Sequence, residues 1–240
     1  MDIGYTSRDR IGFVELNAPP RNALASPAFA DEARLRGFLA REDVDAVVVY
    51  GAGRNFCAGA DLEALEARRR GAPAGLGEEL AAGKRLLETI RAADLPVIAA
   101  IRGACLGAGL EIALACHFRV AAGSAMLGFP EAEHGLIPGL GGTLLAGVGV
   151  PRGAAIDLLL TGRLIRGDEA LAIRLVDRAV ETREVLPEAE RLARALTDRR
   201  SRAQIRGVMT AVRNAERLDR DRALAEETKL FLALAAGIER

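Results

Sequence analysis

Gly103-Ala104-Cys105-Leu106-Gly107-Ala108-Gly109-Leu110-Glu111 decides how this chain is read. Just upstream, Val97 to Ile101 is a short apolar run that reads as a strand. Downstream, Leu110 to about Cys116 predicts a buried helix. Small residues at a strand-to-helix turn let backbone N–H groups face a cavity without side chains in the way. The helix N-terminus adds a field that favours negative charge. The helix is apolar on every face except for Glu111. A buried carboxylate is costly unless paired or protonated, and burial raises its pKa toward the range a general acid or base needs. The competing reading is a structural ion pair with Arg119, two turns on, and periodicity does not separate the two.

The same context recurs at Asn55-Phe56-Cys57-Ala58-Gly59-Ala60-Asp61-Leu62, after the strand-like run Ala46 to Tyr50. Two such turns facing one another would hold a developing oxyanion between two backbone donors, and losing one donor costs about 2.7–4 kcal/mol. A third segment, Phe129-Pro130-Glu131, is followed by Gly135-Leu136-Ile137-Pro138-Gly139-Leu140-Gly141-Gly142-Thr143. It adds a second carboxylate at the end of an apolar strand, with Glu133 as a neighbour that competes for any role. Taken singly, each glycine cluster reads as a tight turn. None spells G-x-G-x-x-G: Gly147-Val148-Gly149 with Gly153 has the wrong spacing and follows no strand. No G-x-x-x-x-G-K-[ST] phosphate loop occurs either.

Outward from these segments, Ile11 to Leu16 reads as a further strand, and Ser26-Pro27 as the start of a helix running to about Arg41. Strand, helix, strand implies a right-handed crossover and a largely parallel sheet. Asp61 to about Arg70 predicts a short helix, Gly71 to Gly77 a mobile breaker, and Glu78 to Ala93 an amphipathic helix. Strands are expected around Phe118 to Ala122 and Met126 to Phe129. From Gly141 the chain reads as almost all helix, including a long segment from Arg202 to Ala236. The expectation is an α/β core over 1–195 and a C-terminal helical, oligomerising region over 196–240.

The 240 residues are 50% hydrophobic and 28% charged, enough apolar material for a core. Cations and anions balance at 33 each, so neither a nucleic acid nor an anionic membrane has electrostatic support as a partner. The most apolar stretch, Val97 to Ala115, contains Arg102, Glu111 and three glycines, a poor membrane span. The first residues lack a signal-peptide pattern. Cys57, Cys105 and Cys116 suit no disulfide framework, and with His117 and His134 they match no zinc spacing. A cytoplasmic protein with free thiols and no metal is expected.

Together, Ala58-Gly59-Ala60-Asp61, the Gly103 to Glu111 segment, Pro130-Glu131, Ile137-Pro138-Gly139 and Gly141-Gly142-Thr143 resemble the enoyl-CoA hydratase/isomerase (crotonase) family. Asn22-Ala23-Leu24 and Leu160-Thr161-Gly162 fall in matching order, and the resemblance covers about residues 10 to 235. It implies a spiral ββα core and an acyl-CoA thioester as substrate. It also implies an oxyanion hole from the Ala60 and Ala108 N–H groups, although the family more often has glycine at the second position. Hydratases of the family carry two glutamates, which fall on Glu111 and Glu131.

By that resemblance Glu111 activates water and Glu131 delivers the α-proton, with no cofactor beyond the CoA of the substrate. Ala23 and Leu24 would meet the adenine end of CoA, and Ala58, Asp61 and Leu62 would line the pantetheine path. His134 reads as a pocket wall. Family members often continue past the segment that resembles Lys229 to Leu234, so elements covering CoA are expected to be absent here or supplied by a neighbour. A homotrimer or a pair of trimers is implied. The rival readings are a double-bond isomerase using Glu131 alone and a non-catalytic subunit that binds acyl thioesters.

Overall fold

The computed structural model describes residues 1–61, 63, 66 and 73–237. A six-stranded sheet runs in the order β1 (Asp2–Arg8), β2 (Ile11–Asn17), β3 (Ala46–Gly51), β4 (Val97–Ile101), β6 (Phe118–Ala122), β9 (Arg178–Val180). Only β1–β2 is antiparallel; the remaining pairs are parallel. The central strands are buried on both faces, with Val47, Val48, Ile98 and Ala99 fully enclosed, which explains their unbroken apolar sequences. A second, three-stranded sheet of β5 (Ala104–Leu106), β7 (Met126–Gly128) and β8 (Ile165–Arg166) stands beside it. The α/β core of spiralling ββα units is as expected.

Between the strands lie α1 (Glu32–Leu39), α2 (Pro73–Arg91) and α3 (Ala108–Ala115). Then come α4 (Gly142–Gly149), α5 (Arg152–Thr161), α6 (Gly167–Ala172), α7 (Val185–Thr197), α8 (Arg202–Arg217) and α9 (Arg220–Ala235). Several local expectations need correction. Helix α1 starts after Asp31, whose carboxylate accepts from the Arg34 N–H, and not at Ser26-Pro27. The Ser26 hydroxyl instead accepts from the Ala28 N–H and donates to Glu79. The stretch read as a breaker lies largely within α2, because two helical glycines cost only about 1 kcal/mol each against a long amphipathic helix. The expected helix at 61–70 falls mostly outside the described residues. Strands β1, β5, β8 and β9 were not anticipated: β1 alternates weakly at an edge, and the others have two or three residues each.

The C-terminal segment is two helices, broken at Leu218 where Asp219 caps α9 through the Arg222 N–H. Helix α8 buries Ile205 against the body and Gly207 beside Leu234 of α9, and Arg202 anchors it by donating to the Val44, Arg41 and Glu42 carbonyls. Helix α9 buries no residue at all. No helix among the described residues is long and apolar enough to cross a membrane.

Candidate active site

Loop 57–61 and the start of α3 are pressed together by glycines that tolerate no side chain. A Cβ on Gly109 would stand 2.2 Å from the Cys57 carbonyl oxygen, and one on Gly59 2.7 Å from that of Leu106. Gly59 also has φ +89°, a conformation that favours glycine. The Leu106 N–H donates to Cys57, so the two segments run side by side. This contact brings Ala60 and Ala108 into one neighbourhood: the Gly59 Cβ position is 3.7 Å from the Ala108 nitrogen. Neither the Ala60 nor the Ala108 N–H has an acceptor among the described residues.

Residues 22–24 pack along the same loop. Leu24 pairs with Ala60 in a parallel bridge, its N–H donating to Gly59 and its carbonyl accepting from Asp61. The Ala58 N–H donates to Arg21, so Ala23, Leu24, Ala58 and Asp61 form one wall; Leu62 lies outside the described residues. Two amides brace the wall. Asn22, fully buried, donates to the Ala52 and Asn55 carbonyls and accepts from the Ala18 N–H, while Asn55 accepts from the Ala104 N–H. The sequence reading passed over these bracing roles, although the Asn22-Ala23-Leu24 resemblance pointed at the position.

Glu111, on the first turn of α3, is 1% exposed. One carboxylate oxygen accepts from the Leu140 N–H at 2.7 Å and from the Gly142 N–H at 2.6 Å. Burial pushes its pKa up to about 7; the Gly142 N–H opposes this, Glu131 adds to it, and the Leu140 N–H and Lys84 oppose it. The alternative ion pair with Arg119 does not form: that guanidinium pairs with Asp177 and donates to the Cys116 and Leu175 carbonyls.

Glu131 sits in the 3₁₀ turn Pro130–His134. Its Oε1 lies against Gly107, 2.5 Å from where a Cβ there would stand, and its Oε2 is buried without a hydrogen-bond partner. Burial raises its pKa, against a smaller opposing influence from His134. Both carboxylates therefore flank the same turn, 107–111. Glu133 and His134 are exposed.

The other chemistry-bearing groups are inert. Burial pushes Cys57 up to about 11 and Cys116 up to about 12, and it raises Cys105 too, so the three free thiols stay protonated. Burial pushes His117 down to about 4, and its Nδ1 accepts from the Val97 N–H. No cluster of three metal-ligating side chains occurs among the described residues. A groove of about 560 Å³ opens elsewhere, between the ends of α3 and α4 and the flank of α8, and neither glutamate lines it.

The chain is similar to a probable enoyl-CoA hydratase of Bacillus subtilis (strain 168), 38% identical over 188 residues that cover 76% of this chain and 71% of that protein. It is also similar to the glyoxysomal fatty acid beta-oxidation multifunctional protein MFP-a of Cucumis sativus, 33% identical over 96% of this chain. The chain spans only 30% of that relative's length. Among solved structures, an enoyl-CoA hydratase from Polaromonas sp. JS666 matches with a TM-score of 0.88 at 31% identity, covering 96% of this chain and 90% of that one. The family model for enoyl-CoA hydratase/isomerase matches residues 6–238, and the chain belongs to that family.

Proposed function

We propose that this protein is an enoyl-CoA hydratase that adds water reversibly across the double bond of a 2-enoyl-CoA thioester. The observation that carries the reading is the pairing of the buried Glu111 with the half-buried Glu131, whose Oε2 is enclosed and unpartnered, around a turn whose Ala108 N–H, like that of Ala60, has no acceptor among the described residues. In this reading the thioester carbonyl accepts from both N–H groups. Glu111, with a pKa of about 7, removes a proton from water as its oxygen bonds to the β-carbon. The π electrons move onto the carbonyl oxygen, where the two N–H groups stabilise them. Glu131, whose pKa burial raises, then delivers a proton to the α-carbon. The reaction moves no electrons to or from an external carrier, so the proposal invokes no metal or redox cofactor.

Ala23, Leu24, Ala58 and Asp61 are proposed to receive CoA along the wall they form. The segment 196–240 is proposed as an oligomerising region of a cytoplasmic homotrimer or pair of trimers. Helix α9 supports this, since it buries nothing and leaves Leu224, Phe231 and Leu232 exposed. Leu144, Val148 and Val212, beside the 560 Å³ groove, offer a second copy an apolar seat. The test is mass-spectrometric screening of enoyl-CoAs for the gain of one water, with Glu111→Gln and Glu131→Gln alongside. Both variants should be nearly inactive, since Gln keeps the shape but carries no proton. A fully active Glu111→Gln beside a dead Glu131→Gln would point to double-bond migration by Glu131 alone. Tight binding with no turnover on any chain length would make the protein a non-catalytic thioester binder.

A further inference from the structure

Of the chain's 33 cationic side chains, two are lysines, Lys84 and Lys229. Lys229 pairs with Glu226 on its own helix. Lys84 is exposed and makes no ion pair among the described residues, in a molecule whose arginines are extensively paired. Its position is not an arbitrary stretch of surface. On α2, Leu80 Cδ2 lies 2.9 Å from where a Cβ on Gly139 would stand. A Cβ on Gly83 would meet Leu140 Cδ2 at 2.6 Å. Helix α2 therefore lies directly on the loop whose Leu140 and Gly142 N–H groups hold Glu111. Lys84 is one turn beyond Leu80 on the same face, and helical side chains lean toward the N-terminus, over the preceding turn. Its ammonium is close enough to act electrostatically on Glu111.

We propose that Lys84 is a specificity-determining residue, which receives an anionic group, a carboxylate, carried on the acyl portion of the thioester. This rests on the reading that the site takes acyl-CoA. The thioester carbonyl is placed at Ala60 and Ala108 and the β-carbon near Glu111, so the remainder of a short acyl chain runs toward the Glu111 side, where Lys84 stands. A neutral aliphatic chain gains nothing from a lone ammonium there, whereas a terminal carboxylate gains an ion pair. The substrate class is then a short enoyl thioester of a dicarboxylic acid.

Calorimetric binding of unreactive saturated analogues reads this without turnover. Succinyl-, glutaryl- and adipyl-CoA are compared with butyryl-CoA on the wild type, Lys84→Met and Lys84→Arg. The best diacid should bind the wild type about fivefold tighter than butyryl-CoA, the weight of one partly exposed ion pair. Lys84→Met should bring that ratio to about one, and Lys84→Arg should keep most of it. Failure of every diacid to outbind butyryl-CoA overturns the proposal. So does an equal loss for all four ligands in Lys84→Met, which would assign Lys84 to the CoA phosphates they share. Absence of hydration with the preference intact removes the hydratase reading alone; hydration with no preference removes this one alone.

Discussion

Glu111→Gln separates what Glu111 does for chemistry from what it does to stability. The carboxyl has a pKa of about 7 in the folded protein against 4.5 for an unperturbed glutamate. A raised pKa means that the folded state binds the proton more tightly than the unfolded chain does. The stabilisation from that proton is complete below pH 4.5 and is lost as pH rises through about 7. Between pH 5 and pH 8 the wild type should lose about 2–3 kcal/mol from this group. The substituted glutamine does not titrate, and its side-chain oxygen can still accept from Leu140 and Gly142. The variant's melting temperature should therefore gain on the wild type by roughly 5–10 °C between those pH values, at about 2–4 °C per kcal/mol for a chain of this size. Hydration should fall by ~10²–10⁴-fold in the same variant. Thermal scans of both proteins at half-unit pH steps give the comparison. A melting-temperature gap that stays constant from pH 5 to pH 8 would refute the claim that Glu111 is a desolvated, titrating acid.

In Gly107→Ala the added Cβ would meet Glu131 Oε1 at 2.5 Å on a backbone with φ +50°, so kcat should drop about 10²-fold with an unchanged circular dichroism spectrum. Ala108→Pro removes one proposed oxyanion donor, and a folded variant with full turnover would sink that assignment; the expected loss is at least ~10²-fold. Arg202→Met deletes donors to the Val44, Arg41 and Glu42 carbonyls, and urea titration should show about 2–3 kcal/mol lower stability. Light scattering at micromolar concentration should give a trimer or hexamer, and a monomer would count against the proposed association.

Long apolar strands and the reactive turns were legible because their signals are local. Val97–Ile101 is apolar at every position since both of its faces are covered, and glycine at 59 and 109 marks where two backbones touch. What escaped depended on partners distant in sequence. The three residues of β5 mean nothing until β7 pairs with them. Glu111 could be read as buried, but its donors lie 29 and 31 residues away on a loop, and no side chain there announces them. Nothing in the sequence singles out Lys84, because its neighbourhood is set by how α2 crosses loop 138–142. The helix expected at Ser26-Pro27 failed for a local reason: the Ser26 hydroxyl is taken up by the Ala28 N–H and Glu79, and Asp31 provides the cap five residues later.

Holding Glu111 with main-chain N–H groups has a bearing on how the site drifts under mutation. A base gripped by a lysine or arginine loses its grip with one codon change in that partner. Here every amino acid at position 140 except proline supplies the same donor. Position 142 is constrained by size instead, since a Cβ there would crowd Pro138, Phe129 and Glu111 within 3.0 Å. The electrostatic setting of the base is thus inherited from the loop's path. Side chains around it are free to vary with the substrate while that setting stays fixed.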